Sequence, residues 1–192
     1  MNPLVLRWIG LPLRGRRAGD ATLACNDPAL ASLPDTLALR SDSFTHNGAL
    51  DLRQAGEGVG GNLSPELHWN PLPPSATNWA LIVEDPDVPL RHAYLHGIAT
   101  GPASVRRMAE GAMPGYAGAR PLPGHGTHRY VFQLFALTRA PGTAATREEL
   151  MPLLRGNAIA CSRLVGLFER DWLRARPVPP SPSHSHETET TR

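Results

Sequence analysis

An antiparallel β-sandwich, mainly β with a few short helices, is the fold class that the sequence predicts, and three observations predict it. Twenty prolines and 18 glycines cut the chain into short apolar runs of strand length. These runs do not alternate with helical patterns as βαβ units would. One of them, Arg129 to Leu137, places apolar residues on both faces in period two, as a central strand does.

In chain order, residues 1–34 are weakly patterned, and they are read as an N-terminal extension whose order is left open. The domain proper is expected over 35–175. Trp79-Ala80-Leu81-Ile82-Val83 is a continuous apolar run ending at Glu84 and Asp85, a strand buried on both faces. Tyr94 to Ala99 gives a second strand. Arg129 to Leu137 gives the third, with Tyr130, Phe132, Leu134 and Ala136 on one side and Val131, Gln133, Phe135 and Leu137 on the other. Thr146 followed by Glu149 forms a capping box, so a helix is expected from Arg147 to Leu154. Ala158 to Phe168 fits either helix or strand. Residues 176–192, rich in proline, serine and threonine, lack the apolar surface to order themselves and are expected to form a disordered tail.

Composition excludes several classes of function. With 192 residues the chain suits one domain with a substantial core. All 19 of its basic residues are arginine, and the net charge of +2 does not imply nucleic acid. One basic cluster, Arg14-Gly15-Arg16-Arg17, is compatible with an acidic surface, though a solvated irregular segment is the commoner reading. Cys25 and Cys161 have neither metal nor redox spacing, which fits a cytoplasmic protein without disulfides. No run approaches the ~20 apolar residues of a membrane helix, and the N-terminus lacks a secretory pattern.

The chemistry concentrates in Asp85-Pro86-Asp87-Val88-Pro89, in His96, and in His128-Arg129-Tyr130. Strand parity puts His96 with Tyr94 and Ile98, and His128 with Tyr130, each pair of imidazole and phenol on one face. If the two strands were neighbours, His96, His128 and Tyr130 would surround one cavity. Asp85 and Asp87 would enter it from the end of the first strand, on a turn stiffened by Pro86 and Pro89. Imidazole N–H groups suit an anion, and a nearby carboxylate holds the tautomer. A second carboxylate suits an ammonium, since opposite charges ~4 Å apart attract by roughly 4 kcal/mol at intermediate dielectric. The combination points to a zwitterion such as phosphoethanolamine. Taken singly, Asp-Pro-Asp is common turn chemistry, and either histidine alone is more often structural.

Four motifs in order extend this reading: Gly61-Asn62-Leu63-Ser64-Pro65-Glu66-Leu67-His68-Trp69, Asp85-Pro86-Asp87-Val88-Pro89 with His96, Gly115-Tyr116, and Gly126-Thr127-His128-Arg129-Tyr130-Val131-Phe132. In this order, over about residues 42–168, the chain resembles the phosphatidylethanolamine-binding protein family, in its bacterial, Raf-kinase-inhibitor-like branch. The resemblance implies a β-sandwich with a small anion-binding cavity lined by Asp85, Asp87, His96, His128 and Tyr130, free of metal. It also implies a structural role for Arg129, through bidentate bonds, and a scaffold turn at Gly61 to Pro65.

The expected function is that of a binding protein for phosphate-bearing or zwitterionic head groups that needs neither catalysis nor a cofactor. Regulation of a protein partner such as a kinase or protease, and pairing as a homodimer, are compatible with it. The alternative is a small hydrolase using the Asp/His pocket, against which stands the lack of a convincing nucleophile. An open zinc site built from the aspartates and histidines is a third and weaker reading.

Overall fold

The three apolar runs and the undecided segment after the helix become neighbours in one sheet. The computed structural model describes residues 3–170, with side chains from residue 8 onward. The tail expected over 176–192 therefore lies outside the described residues. The elements are α1 (Pro3–Leu13), β1 (Gly48–Ala49), β2 (Leu67–His68), β3 (Asn78–Asp85), β4 (Tyr94–Pro102), β5 (Arg107–Met108), β6 (His128–Leu137), α2 (Arg147–Asn157) and β7 (Ala158–Phe168), with 3-10 turns at Asp20–Thr22, Ala24–Asn26 and Leu52–Gln54.

A five-stranded sheet runs in the order β1-β7-β6-β3-β4, and β2 pairs with β5 in a second, two-stranded sheet. The pairings are antiparallel except the short one between β1 and β7, which is parallel. Each face of the large sheet carries its own core. Leu81, Val83, Phe132 and Leu134 on one face pack with Leu67 and Met108 of the small sheet. Ile82, Val131 and Phe135 on the other pack with Leu150 and Leu154 of α2. The result is a β-sandwich with helical cover, as the sequence predicts.

Ala158 to Phe168 resolves as strand because β6 offers it a full antiparallel partner, from His128↔Phe168 to Leu137↔Ala158. The predicted capping box is present at the start of α2, where Thr146 accepts from the Glu149 backbone and Glu149 reaches back. The helix continues past Leu154 to Asn157, and the backbone N–H of Ala158 closes it on the Leu154 carbonyl.

The segment before residue 35 is built into the molecule. Leu23, Ala24, Cys25 and Leu30 are buried in the second core. The Ala24 N–H donates to Glu84 Oε2 at 2.8 Å, and the Cys25 N–H donates to Gln133 Oε1 at 2.7 Å. Arg147 Nε completes the hydrogen bonding of the fully buried Glu84 at 2.7 Å. A buried carboxylate needs such partners to be tolerated.

Candidate head-group cavity

A cavity of about 490 Å³ opens at the ends of β3, β4 and β6, lined by Asp85, Tyr94, His96, His128 and Tyr130 together with loop residues around Tyr116 to Leu122. How these side chains reach it differs from the parity argument. Strands β4 and β6 are not neighbours, because β3 lies between them. His96 nevertheless meets Tyr130 edge to face, with ring centroids 4.8 Å apart. The register explains this: Val83 pairs with Gly97 and Glu84 with Leu95, so His96 is the extra residue of a β-bulge. The bulge turns His96 to the cavity side while Ile98 packs in the second core, on the opposite face. The shared face expected for His96 and Ile98 is thus corrected.

The loop after β5 grips His96 from the far side. The Ala117 N–H donates to the His96 carbonyl at 2.7 Å, and His96 Nδ1–H donates to the Ala117 carbonyl. Asn62 holds that loop, its amide donating to Tyr116 O at 3.2 Å and accepting from Gly118 N at 2.7 Å. The approach is close enough that a Cβ on Gly97 would stand 2.5 Å from Met113 Sδ. With Nδ1 committed, only Nε2 of His96 is left for other contacts, and it is buried without a hydrogen-bond partner among the described residues. Burial pushes the His96 pKa below the ordinary histidine range, against the opposing pull of the Ala117 carbonyl and the Asp85 charge. The ring is neutral at pH 7, and Nε2 presents a lone pair.

His128 lines the same cavity, but both of its ring nitrogens are occupied. Nδ1 lies 2.6 Å from Asp85 Oδ2, and Nε2 lies 2.7 Å from Nδ1 of His125. His125 is fully buried, and its Nε2 lies 3.2 Å from the Arg16 carbonyl. A carbonyl only accepts, so His125 Nε2 carries hydrogen. Burial, followed by the charge of His128, lowers the His125 pKa, so the ring is neutral and its Nδ1 is bare. His128 Nε2–H therefore donates to it. Sequence reasoning missed His125, which stands in an irregular turn where no strand parity applies.

Asp87 does not line the cavity. Its carboxylate accepts from the Arg129 backbone at 2.8 Å and from Arg129 Nε and Nη2 at 2.9 and 2.8 Å, with Arg17 Nη1 at 2.9 Å. Burial raises its pKa, but the hydrogen bonds and charge of Arg129, backed by Arg17, outweigh that and hold the carboxyl below the usual range. The proline turn sends the two aspartates in different directions: Asp85 Oδ1 accepts the Asp87 N–H at 2.7 Å while the Asp87 side chain faces away. Arg129 also binds Asp20 at 2.7 Å, tying the strap of residues 16–20 to the sheet. The strap adds Ala18 N–H to Val88 O and Gly19 N–H to Pro86 O, both 2.9 Å.

Tyr130 is buried, and its phenol pKa is raised by burial and then by the charge of Asp85, so it stays protonated. Among the described residues, the one set of donors that could hold a metal lies elsewhere. Asp42, Glu66 and His68 converge within 4.8 Å. Arg107 already occupies that cluster, bonding Glu66 and Asp42 at 3.2 Å each.

Comparison with known proteins agrees with the fold. The family model described as phosphatidylethanolamine-binding protein matches residues 40–169. A UPF0098 protein of Methanothermobacter thermautotrophicus is 30% identical over 153 residues, covering 69% of this chain and 98% of that protein. The crystal structure of a phosphatidylethanolamine-binding protein homologue from Chlamydia trachomatis superposes with a TM-score of 0.64 at 29% identity, covering 71% of this chain and 99% of that one. YbcL of E. coli, described as a member of the mammalian PEBP family, shares the fold with a TM-score of 0.65 at 23% identity, covering 70% and 99%. By the extent of these matches, the chain belongs to the phosphatidylethanolamine-binding protein family.

Proposed function

We propose that the cavity binds a small zwitterionic or phosphate-bearing head group, with His96 as the contact that reads it. The observation that carries this reading is His96 Nε2, buried in the cavity wall and unpartnered among the described residues. An unmet buried polar atom costs about 1–3 kcal/mol, which a ligand hydrogen bond would offset. As a lone pair, Nε2 accepts from an ammonium or from the P–OH of a phosphate monoanion. Once protonated, it donates to a phosphate oxygen. Phosphoethanolamine carries both kinds of group. Asp85 adds negative charge deeper in the wall, and the exposed Arg120 adds positive charge at the mouth.

Hydrolysis finds less support. Ser64 has its hydroxyl committed as acceptor to the Met113 N–H at 3.1 Å. Both thiols lie in a separate pocket between the N-terminal segment and β7. Titration calorimetry with phosphoethanolamine, inorganic phosphate and ethanolamine tests the proposal. Heat from phosphoethanolamine that vanishes in His96→Ala supports it, whereas equal affinity in that variant removes His96 from the contact.

A further inference from the structure

We infer that α1 and the lips of the cavity form one face that docks on an anionic phospholipid bilayer. Large apolar side chains rarely stand free on a protein surface, and contiguous ones mark a contact. On α1, Trp8 is 77% exposed, Ile9 45% and Leu11 37%. The helix is seated through Gly10, where a Cβ would stand 2.2 Å from the Pro123 carbonyl oxygen. Pro123 directly follows Pro121 and Leu122, which line the cavity. The helix is therefore mounted on the cavity rim. Two further exposed apolar residues stand on the rim formed by the loop after β3 and the start of β4: Leu90, 57% exposed, and Tyr94, 47% exposed and itself lining the cavity.

Charge selects the occupant. No acidic residue precedes Asp20 in the sequence, and Asp20 is paired with Arg129. Arg14, Arg16, Arg91 and Arg120 are exposed, the first two directly after α1, Arg91 next to Leu90 in the chain and Arg120 in the cavity lining. The exposed apolar residues of α1 can enter the boundary layer of a bilayer while the arginines that follow the helix and line the rim meet anionic lipid head groups. A second copy of this chain would bring the same arginines face to face and be repelled. Residues 3–13 precede the family match at residue 40, so α1 joins this face from outside the matched domain, to which the cavity lips belong. The inference adds to the head-group reading a source for the ligand, a lipid in the bilayer, and the two are separable by experiment.

The full chain is sedimented with phosphatidylcholine vesicles made with and without phosphatidylglycerol, alongside the variant Trp8→Ser/Ile9→Ser. Phosphoethanolamine affinity is measured on both proteins in parallel. The expected result is partition to the anionic vesicles, weakened by salt and reduced at least about tenfold in the variant, with affinity for the soluble head group unchanged. The docking face is overturned by absence of partition, by partition insensitive to the variant, or by a solution dimer that buries Trp8. If vesicle binding depends on Trp8 and Ile9 but soluble phosphoethanolamine does not bind, the face stands and the head-group reading fails.

Discussion

Asp85 and Asp87 are two residues apart and both buried, yet they belong to regions built for different ends. On the cavity side, Asp85 meets His128 and leaves His96, across the wall, with a nitrogen unpartnered among the described residues. On the strap side, Asp87 is saturated by Arg129 and Arg17, and the hydrogen bonds run on to Asp20. Saturation makes rigidity, whereas an unmet buried group is a reservoir of binding energy. The turn through Pro86 lets adjacent carboxylates serve both.

Removing Arg129 should have the largest effect. It leaves the buried Asp87 carboxylate with only the backbone N–H of residue 129 and Arg17, and Arg129→Ala should cost about 3 kcal/mol, the low end for a broken buried pair because the guanidinium is partly exposed. Urea denaturation would show it as a lower midpoint, and a loss below ~1 kcal/mol would mean that the strap side is not the rigid half. His96→Ala probes the opposite side. It should weaken phosphoethanolamine binding by about 2 kcal/mol in calorimetry while lowering the urea midpoint far less than Arg129→Ala.

The comparison also has a pH signature. Because burial holds the free His96 pKa below the ordinary range and a bound anion raises it, phosphate binding takes up a proton. Affinity for inorganic phosphate should then fall as pH rises through the bound-state pKa of His96, by up to tenfold per unit, about 1.4 kcal/mol. Titrations that agree from about pH 5 to 8.5 would contradict the role of that ring. In the ligand-free protein the same depressed pKa means that the unfolded chain accepts a proton the folded one refuses. Stability contributed by neutral His96 is therefore present above its unfolded pKa and declines as pH falls below it. The smallest effect is expected from Arg17→Ala. Arg17 is exposed and Asp87 keeps Arg129, so urea denaturation should register less than about 1 kcal/mol.

Much of the fold was legible because it rests on local pattern. The continuous apolar run of β3, the two-sided β6 and the Thr146 to Glu149 box are each decided within a few residues. What escaped was non-local. The identity of β7 depended on a partner strand that its own residues do not announce. At the site, the gathering of Asp85, His96, His128 and Tyr130 could be anticipated from order and type. The bulge at His96 is a register shift between strands, invisible to parity along one of them. Asp87 and His125 were misjudged or missed because their partners, Arg129, Arg17 and the Arg16 carbonyl, come from a segment with no periodic signal.

That segment also separates recognition from mechanics. The family model matches from residue 40, yet a polypeptide trimmed there would lose Leu23, Ala24, Cys25 and Leu30 from beneath the sheet, together with the amide that caps Glu84. The stretch that a family pattern recognises and the stretch that must fold together are, in this molecule, intervals of different length.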